Sequence, residues 1–261
     1  MERRHAPAPV GGAPLLVEMR GIRKTFGAIR ALEGVDLAVG PGEILGLVGD
    51  NSAGKSTLMK VLTGAYRPDA GEIRILGRSE EIASPQDSRR LGLEMVYQDF
   101  ALCGNLDVAT NIFLGRWPTR GGFVRARRME TEARRILGEL GVDPGIVGQR
   151  VETLSGGRQQ LVAIARAVSF APRLVILDEP TANLSVVAIE HVLDLARELR
   201  RRGVAQIIIS HRLPDIFAVA DRVVVLKRGR NVGERRIRET TEDEVLTLIV
   251  QGDAAESARR D

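Results

Sequence analysis

The sequence predicts an α/β fold in which a largely parallel sheet is crossed by helices. Short β-branched runs alternate with longer segments of helical period, which is the pattern of strand–crossover–strand units. Residues 174–177 are continuously apolar, as a strand buried on both faces must be, whereas 35–39 alternate apolar with polar residues, as a half-exposed antiparallel strand does. An antiparallel β portion is therefore expected beside the parallel core.

In chain order, residues 1–14 are rich in Pro, Ala and Gly and lack the continuous apolar core of a secretory signal, so they read as a disordered tail. Strands follow at 16–19, 35–39 and 44–48, and the last of these runs into a glycine-rich turn and a helix over 55–62. Further strands are expected at 72–76 and 93–97. From 100 to 150 the strand signal disappears, and Gly115, Pro118, Gly121 and Gly122 mark the flexible middle of a helical insertion that spans about 100–170. Helices at 130–140 and 157–169 belong to that insertion, since apolar residues recur there every three or four positions. Strands at 174–177, 205–210 and 223–226, with helices at 186–202 and 242–250, complete one folded unit over 15–250, and 251–261 is a C-terminal tail. The whole pattern occurs once, so the chain carries one such folded unit rather than two.

Composition narrows the function classes. The chain has 261 residues, 44% hydrophobic and 28% charged, which is ordinary for a globular protein. Its apolar runs fall far short of the roughly 20 residues that a membrane-spanning helix needs, so a cytoplasmic location is expected. The single cysteine, Cys103, cannot form an internal disulfide and is expected as a small buried apolar residue. Net charge is +4, but the basic groups around 125–128, 197–202 and 235–238 are expected on solvated faces, with attraction to anionic lipid or nucleic acid as the alternative.

Gly49, Asp50, Asn51, Ser52, Ala53, Gly54, Lys55 and Ser56 fit G-x-x-x-x-G-K-[ST] directly after a candidate strand and at the start of a helix, the setting of a P-loop NTPase. In such a loop backbone N–H groups converge on phosphate oxygens. The helix dipole adds to them, Lys55 brings a point charge, and the Ser56 hydroxyl can ligate Mg²⁺. Lysine is scarce in this arginine-dominated chain, and arginine would not fit the loop in the same way. Downstream, Asp178 and Glu179 end the apolar run 174–177, at the sheet edge where open α/β folds bind ligands. Asp178 can hold Mg²⁺ and Glu179 can accept a proton from an attacking water, although acids at a strand end also cap helices.

A second loop separates one P-loop family from the others. Leu154, Ser155, Gly156, Gly157, Arg158 and Gln159 resemble the LSGGQ signature of ABC ATPases, and Ser before two glycines at a helix start is itself an anion site. The resemblance implies an ABC nucleotide-binding domain with an antiparallel β subdomain and an inserted helical subdomain. It also implies a head-to-tail homodimer whose two ATP molecules lie between P-loop and signature. By the same resemblance Phe26 stacks on adenine, Thr57 joins the ATP-binding residues, Gln98 touches Mg²⁺ and the attacking water, and His211 senses the γ-phosphate.

Two positions depart from the family pattern. Arg158 stands where the signature usually has Gln, and Ser185 ends a loop that usually ends in Asp. Segment 96–116 and the tail through 250 are similar to single-domain sugar-import ATPases of the ribose, xylose and fructose type. That similarity implies a motor peripheral to the inner face of the membrane and bound to an integral-membrane permease. It would meet a substrate-binding protein only indirectly and would have no direct nucleic-acid partner. Two alternatives stay open: a soluble ABC ATPase acting on nucleic acid or ribosomes, and the motor of a non-sugar transporter.

Overall fold

In the computed structural model, which describes residues 14–252, the apolar pattern resolves into two main sheets with helices packed around them. The expected terminal tails lie almost wholly outside the described residues. The chain opens with β1 (Val17–Phe26) and β2 (Ile29–Val39), then β3 (Ile44–Val48) and α1 (Lys55–Leu62). Next come β4 (Ala70–Ile75), β5 (Arg78–Ser79), α2 (Pro85–Arg90) and β6 (Leu93–Val96). The insertion holds α3 (Val108–Ile112), β7 (Thr119–Arg120), β8 (Phe123–Val124), α4 (Ala126–Glu139) and α5 (Gly156–Val168). The chain then returns through β9 (Leu174–Asp178), α6 (Val186–Arg201), β10 (Ala205–Ile209), α7 (Leu213–Val219), β11 (Arg222–Lys227), β12 (Arg230–Arg236) and α8 (Glu242–Gln251).

The antiparallel sheet has the order β2-β1-β4-β5 and the central sheet the order β12-β11-β3-β10-β9-β6, parallel except for its edge strand β12. Register aligns the carboxyl ends: Ile209 pairs with both Leu47 and Asp178, and Val96 with Leu177. The loops leaving β3, β6, β9 and β10 therefore emerge side by side. β9 holds this edge in place, with Val175 and Leu177 packed in the core on one face of the sheet and Leu174 and Ile176 in the core on the other. Each fully buried Leu or Ile of this kind contributes about 1.5–3 kcal/mol.

At the opposite edge, Arg222 is buried and donates to Glu43, Glu234 and the Ala38 carbonyl, tying β2, the turn just before β3, β11 and β12 together. In the insertion, α3 packs on α4 and α5, and α5 packs on β6 and α6. The fully buried Asn111 side chain accepts from the Cys103 N–H at 2.8 Å and donates to the Cys103 and Asp107 carbonyls, which fixes the loop leading into α3.

Several expectations change. The insertion is not free of strands, because β7 and β8 form a small antiparallel hairpin closed by Gly121 and Gly122, both at positive φ. Two consecutive residues at positive φ are what a two-residue hairpin turn of type I′ requires. β1 runs far beyond the expected 16–19 because it pairs with β2 on one side and β4 on the other. The strand expected at 93–97 stops at Val96. β12, α2, α3 and α7 lay outside the expected elements. Cys103 is only partly buried.

Candidate functional site

The glycine-rich loop between β3 and α1 exists because two glycines take positions closed to other residues. Gly49 has φ +144° and its backbone lies against Leu226, where an added Cβ would stand 2.1 Å from the carbonyl oxygen. Gly54 has φ +99° and would meet the Ala31 carbonyl at 2.7 Å. Between them Asp50, Asn51 and Ser52 are exposed and Ala53 is buried. Lys55 is buried and its Nζ donates to the Gly49 carbonyl at 2.6 Å and the Asp50 carbonyl at 2.8 Å, so the loop is curled around the ammonium group. Burial lowers the Lys55 pKa, against the opposing charges of Glu179, Asp178 and Asp50. Ser56 is exposed and Thr57 half-buried at the start of α1.

Asp178, the last residue of β9, is a carboxylate whose pKa is raised, first by burial and then by the charge of Glu179. Lys55, Lys60 and a hydrogen bond with Ser56 oppose that rise. Glu179 sits at φ +50°, an unusual conformation for a residue with a side chain, and donates its N–H to the Ile209 carbonyl at 2.9 Å. From there Glu179 Oε2 meets His211 Nδ1 at 2.7 Å. His211 follows β10 and is largely exposed. Gln98, two residues beyond β6, is exposed at the same sheet edge. Asp178 and Ser56 offer oxygen donors only, a set suited to a magnesium ion that takes its other ligands from phosphate and water. Among the described residues no cluster of three or more His, Cys, Asp or Glu could hold a metal by itself.

The signature segment is built at the start of α5. Leu154 is buried, and the Ser155 hydroxyl caps the helix by accepting from the Arg158 N–H at 3.4 Å. Gln159 Nε2 donates to the Val151 carbonyl at 3.2 Å and the Leu154 carbonyl at 3.0 Å, so this side chain braces the loop and does not reach outward. Ser155, Gly156 and Arg158 are exposed. Gly157 faces α6 so closely that a Cβ would come 2.6 Å from that of Ala188. The departing residue Ser185 caps α6 by accepting from the Ala188 N–H at 3.4 Å, a role that the more usual Asp also fills.

Phe26 lies at the end of β1 with 40% of its surface exposed, edge-on to Tyr66 at 5.1 Å and with Lys24 Nζ 5.5 Å from its ring centre. The structure thus brings Lys55, Ser56, Asp178, Glu179 and His211 to one edge with Gln98 beside it, while the hydrogen bonds of 154–159 stay local.

Three features here had escaped the sequence reading. Tyr66 supports Phe26. Gly229, in the β11–β12 turn, donates to the Ala53 carbonyl at 3.0 Å and accepts from the Glu33 N–H at 2.7 Å, which braces the phosphate loop against β2. Thr181 and Asp215, both buried, join the loop after β9 to α7 by a hydrogen bond of 2.6 Å. Only Gly229 had a local signal, an Arg-Gly-Arg turn directly after the apolar run 223–226; the other two are contacts between segments distant in sequence.

Residues 32–182 match the family model described as ABC transporter. A xylose/arabinose import ATP-binding protein of Sulfolobus acidocaldarius is 42% identical over 234 residues, covering 90% of this chain and 93% of the relative. A ribose import ATP-binding protein of Rubrobacter xylanophilus is 46% identical over 237 residues, again 90% of this chain. The chain spans 47% of that relative's length. Among solved structures, a dimeric ATP-binding cassette in a post-hydrolysis state with ADP and Pi is 25% identical with a TM-score of 0.74, covering 86% of this chain and 100% of that one.

Proposed function

This chain belongs to the ABC transporter family, and we propose that it is the ATP-hydrolysing subunit of an importer whose cargo is a monosaccharide, working as a homodimer on a separate membrane permease. The observation that carries the reading is the convergence, at one sheet edge, of the curled phosphate loop with the paired Glu179 and His211. The import relatives support the cargo class, and the dimeric cassette bound to ADP and Pi supports the nucleotide and the assembly.

In this reading the backbone N–H groups of 49–56 bind the phosphates, and Lys55 exchanges its two loop carbonyls for β- and γ-phosphate oxygens. Phe26 stacks on the adenine, with Tyr66 holding its ring. Ser56 and Asp178, with Gln98, would hold Mg²⁺, which when bound neutralises charge on the phosphate oxygens. Glu179 accepts the proton of the attacking water, and His211 fixes the carboxylate until the γ-phosphate is present. The exposed start of α5 presents Ser155 and its backbone N–H groups to the nucleotide of the partner. The insertion, about 100–170, is the part that receives the permease, on the inner face of the membrane.

ATP binding and turnover of two variants test this. Lys55→Ala should lose both, whereas Glu179→Gln should retain ATP while turnover falls by about 10²–10⁴-fold. Equal loss of ATP binding in the two variants sinks the division of roles. Co-purification of tagged Glu179→Gln protein from membranes with ATP present tests the partner. Recovery of a multi-span permease supports the importer reading, and recovery of ribosomes or nucleic acid without a permease moves the function to a soluble branch of the family.

A further inference from the structure

Between Val108 and Met129 the sequence contains no Asp or Glu, yet it holds five arginines. The first, Arg116, is engaged: it is paired with Glu94 at 2.9 Å and stacked 3.9 Å over the Phe170 ring. Arg120, Arg125, Arg127 and Arg128 lie along the β7–β8 hairpin and the first turn of α4, and all are exposed. Farther along the same helix the pattern is different, because Arg134 is paired with Glu130, and Arg135 with Glu132 and Glu139. Among the described residues no carboxylate lies within ion-pair distance of the four hairpin arginines. Arg128 acts only through space on Glu132, whose hydrogen bond goes to Arg135.

Large apolar side chains stand uncovered in the same patch. Phe123 is 81% exposed, and Trp117 and Val124 are 45% exposed. A face that is merely solvated mixes charges of both signs and does not gather bulky apolar groups along one short hairpin. Charge of one sign beside exposed aromatic side chains suits the headgroup layer of an anionic bilayer, where guanidinium groups bind phosphate and aromatic rings settle at the interface.

We propose that the hairpin and the start of α4, residues 117–128, form a membrane-contact element that docks on anionic phospholipid headgroups, with Phe123 and Trp117 entering the interface. Its place in the fold agrees with this. Leu114 and Arg116, just before the hairpin, line a groove with Glu94, Tyr97 and Phe170, within the region assigned above to the permease. The hairpin therefore borders the face that turns toward the bilayer. That orientation rests on the importer reading, whereas lipid binding by the chain itself does not.

The test uses the full chain with vesicles of phosphatidylcholine alone or mixed with phosphatidylglycerol. It follows both cosedimentation and the emission of Trp117, the only tryptophan in the sequence. Binding to the anionic vesicles, weakened by salt and accompanied by a blue shift of Trp117, is expected. Arg120→Gln, Arg125→Gln, Arg127→Gln and Arg128→Gln should each weaken that binding by up to about fivefold, the effect of one cation near an anionic surface. Phe123→Ser should weaken it with the salt dependence unchanged. ATP turnover measured on the same variants should match the parent protein, so that failure here is distinguishable from failure of the ATPase reading. Three results overturn the proposal: equal or absent binding to the two vesicle types, vesicle binding that leaves Trp117 emission unmoved, and tighter binding to duplex DNA than to anionic vesicles at equal phosphate concentration.

Discussion

At the scale of single residues, the site is held against local cost. Glu179 and Asn183 both have positive φ in the loop after β9, a conformation that costs about 1–3 kcal/mol per residue and persists only where surroundings impose it. The hydrogen bond from Thr181 to Asp215, with Arg212 Nε donating to the same oxygen at 3.0 Å, is the restraint that joins this loop to the helix after His211. Thr181→Val keeps the shape and removes the donor, so it should destabilise the protein by about 1–3 kcal/mol in urea unfolding. It should also lower kcat more than it changes KM, and Thr181→Ser should restore both. Asp178 makes a pH-dependent prediction. Its pKa is raised in the fold by burial and by Glu179, so the native state holds the proton more tightly than the unfolded chain does. Stability therefore falls as pH rises from the ordinary carboxylate pKa through the raised one. Asp178→Asn should raise the melting temperature of the nucleotide-free protein at pH 8, and the gain should vanish as pH is lowered through that window. A constant gain at every pH would point to packing instead. The sequence reading reached Lys55, Asp178 and Glu179 because each belongs to a contiguous motif at a strand end. It missed the Thr181–Asp215 bond because nothing in either local segment signals a partner 34 residues away.

At the scale of elements, close backbone approach explains where glycine stands. A Cβ on Gly157 would overlap that of Ala188 and force the starts of α5 and α6 apart. Gly157→Ala should thus destabilise the protein by about 1–3 kcal/mol through overpacking. Ala188→Gly in the same chain should recover the packing part of that loss, and a denaturant-based double-mutant cycle reads the coupling. Additive effects would show that the two helix starts do not press on each other. In the β11–β12 turn, Gly229 has φ +74° and would meet the Ala31 carbonyl at 2.6 Å, whereas Gly141 has φ +71° with nothing within 4 Å. Gly141→Ala should cost only the left-handed penalty of about 1–2 kcal/mol. Gly229→Ala should cost more and weaken ATP binding as well, because it moves the brace on the phosphate loop. The hairpin of β7 and β8 shows the limit of reading elements by period. Its strands are too short for any periodicity to register, although the Gly121–Gly122 pair between Thr119-Arg120 and Phe123-Val124 is itself a hairpin signal.

At the scale of the whole molecule, the parallel core was legible because strands such as β9, apolar on both faces, can lie only in the middle of a layered fold. The antiparallel sheet was half legible: β1 was expected as four residues, but pairing on both sides carries it to ten. Pairing of the phosphate loop with a partner's signature is expected only from the family resemblance, since within one chain the signature makes local bonds and leaves Ser155, Gly156 and Arg158 exposed. A head-to-tail dimer gives those groups a nucleotide to meet, and it makes a prediction that a one-chain site does not. Lys55→Ala protein has a ruined phosphate loop and an intact signature, and Ser155→Phe protein has the reverse. Each alone should be inactive. Mixed in equal amounts, they should recover up to about a quarter of parental ATP turnover, because half of the dimers are mixed and each of those holds one complete site of two. Turnover of the mixture no greater than that of either variant alone would mean that the phosphate loop and signature serving one nucleotide come from the same chain.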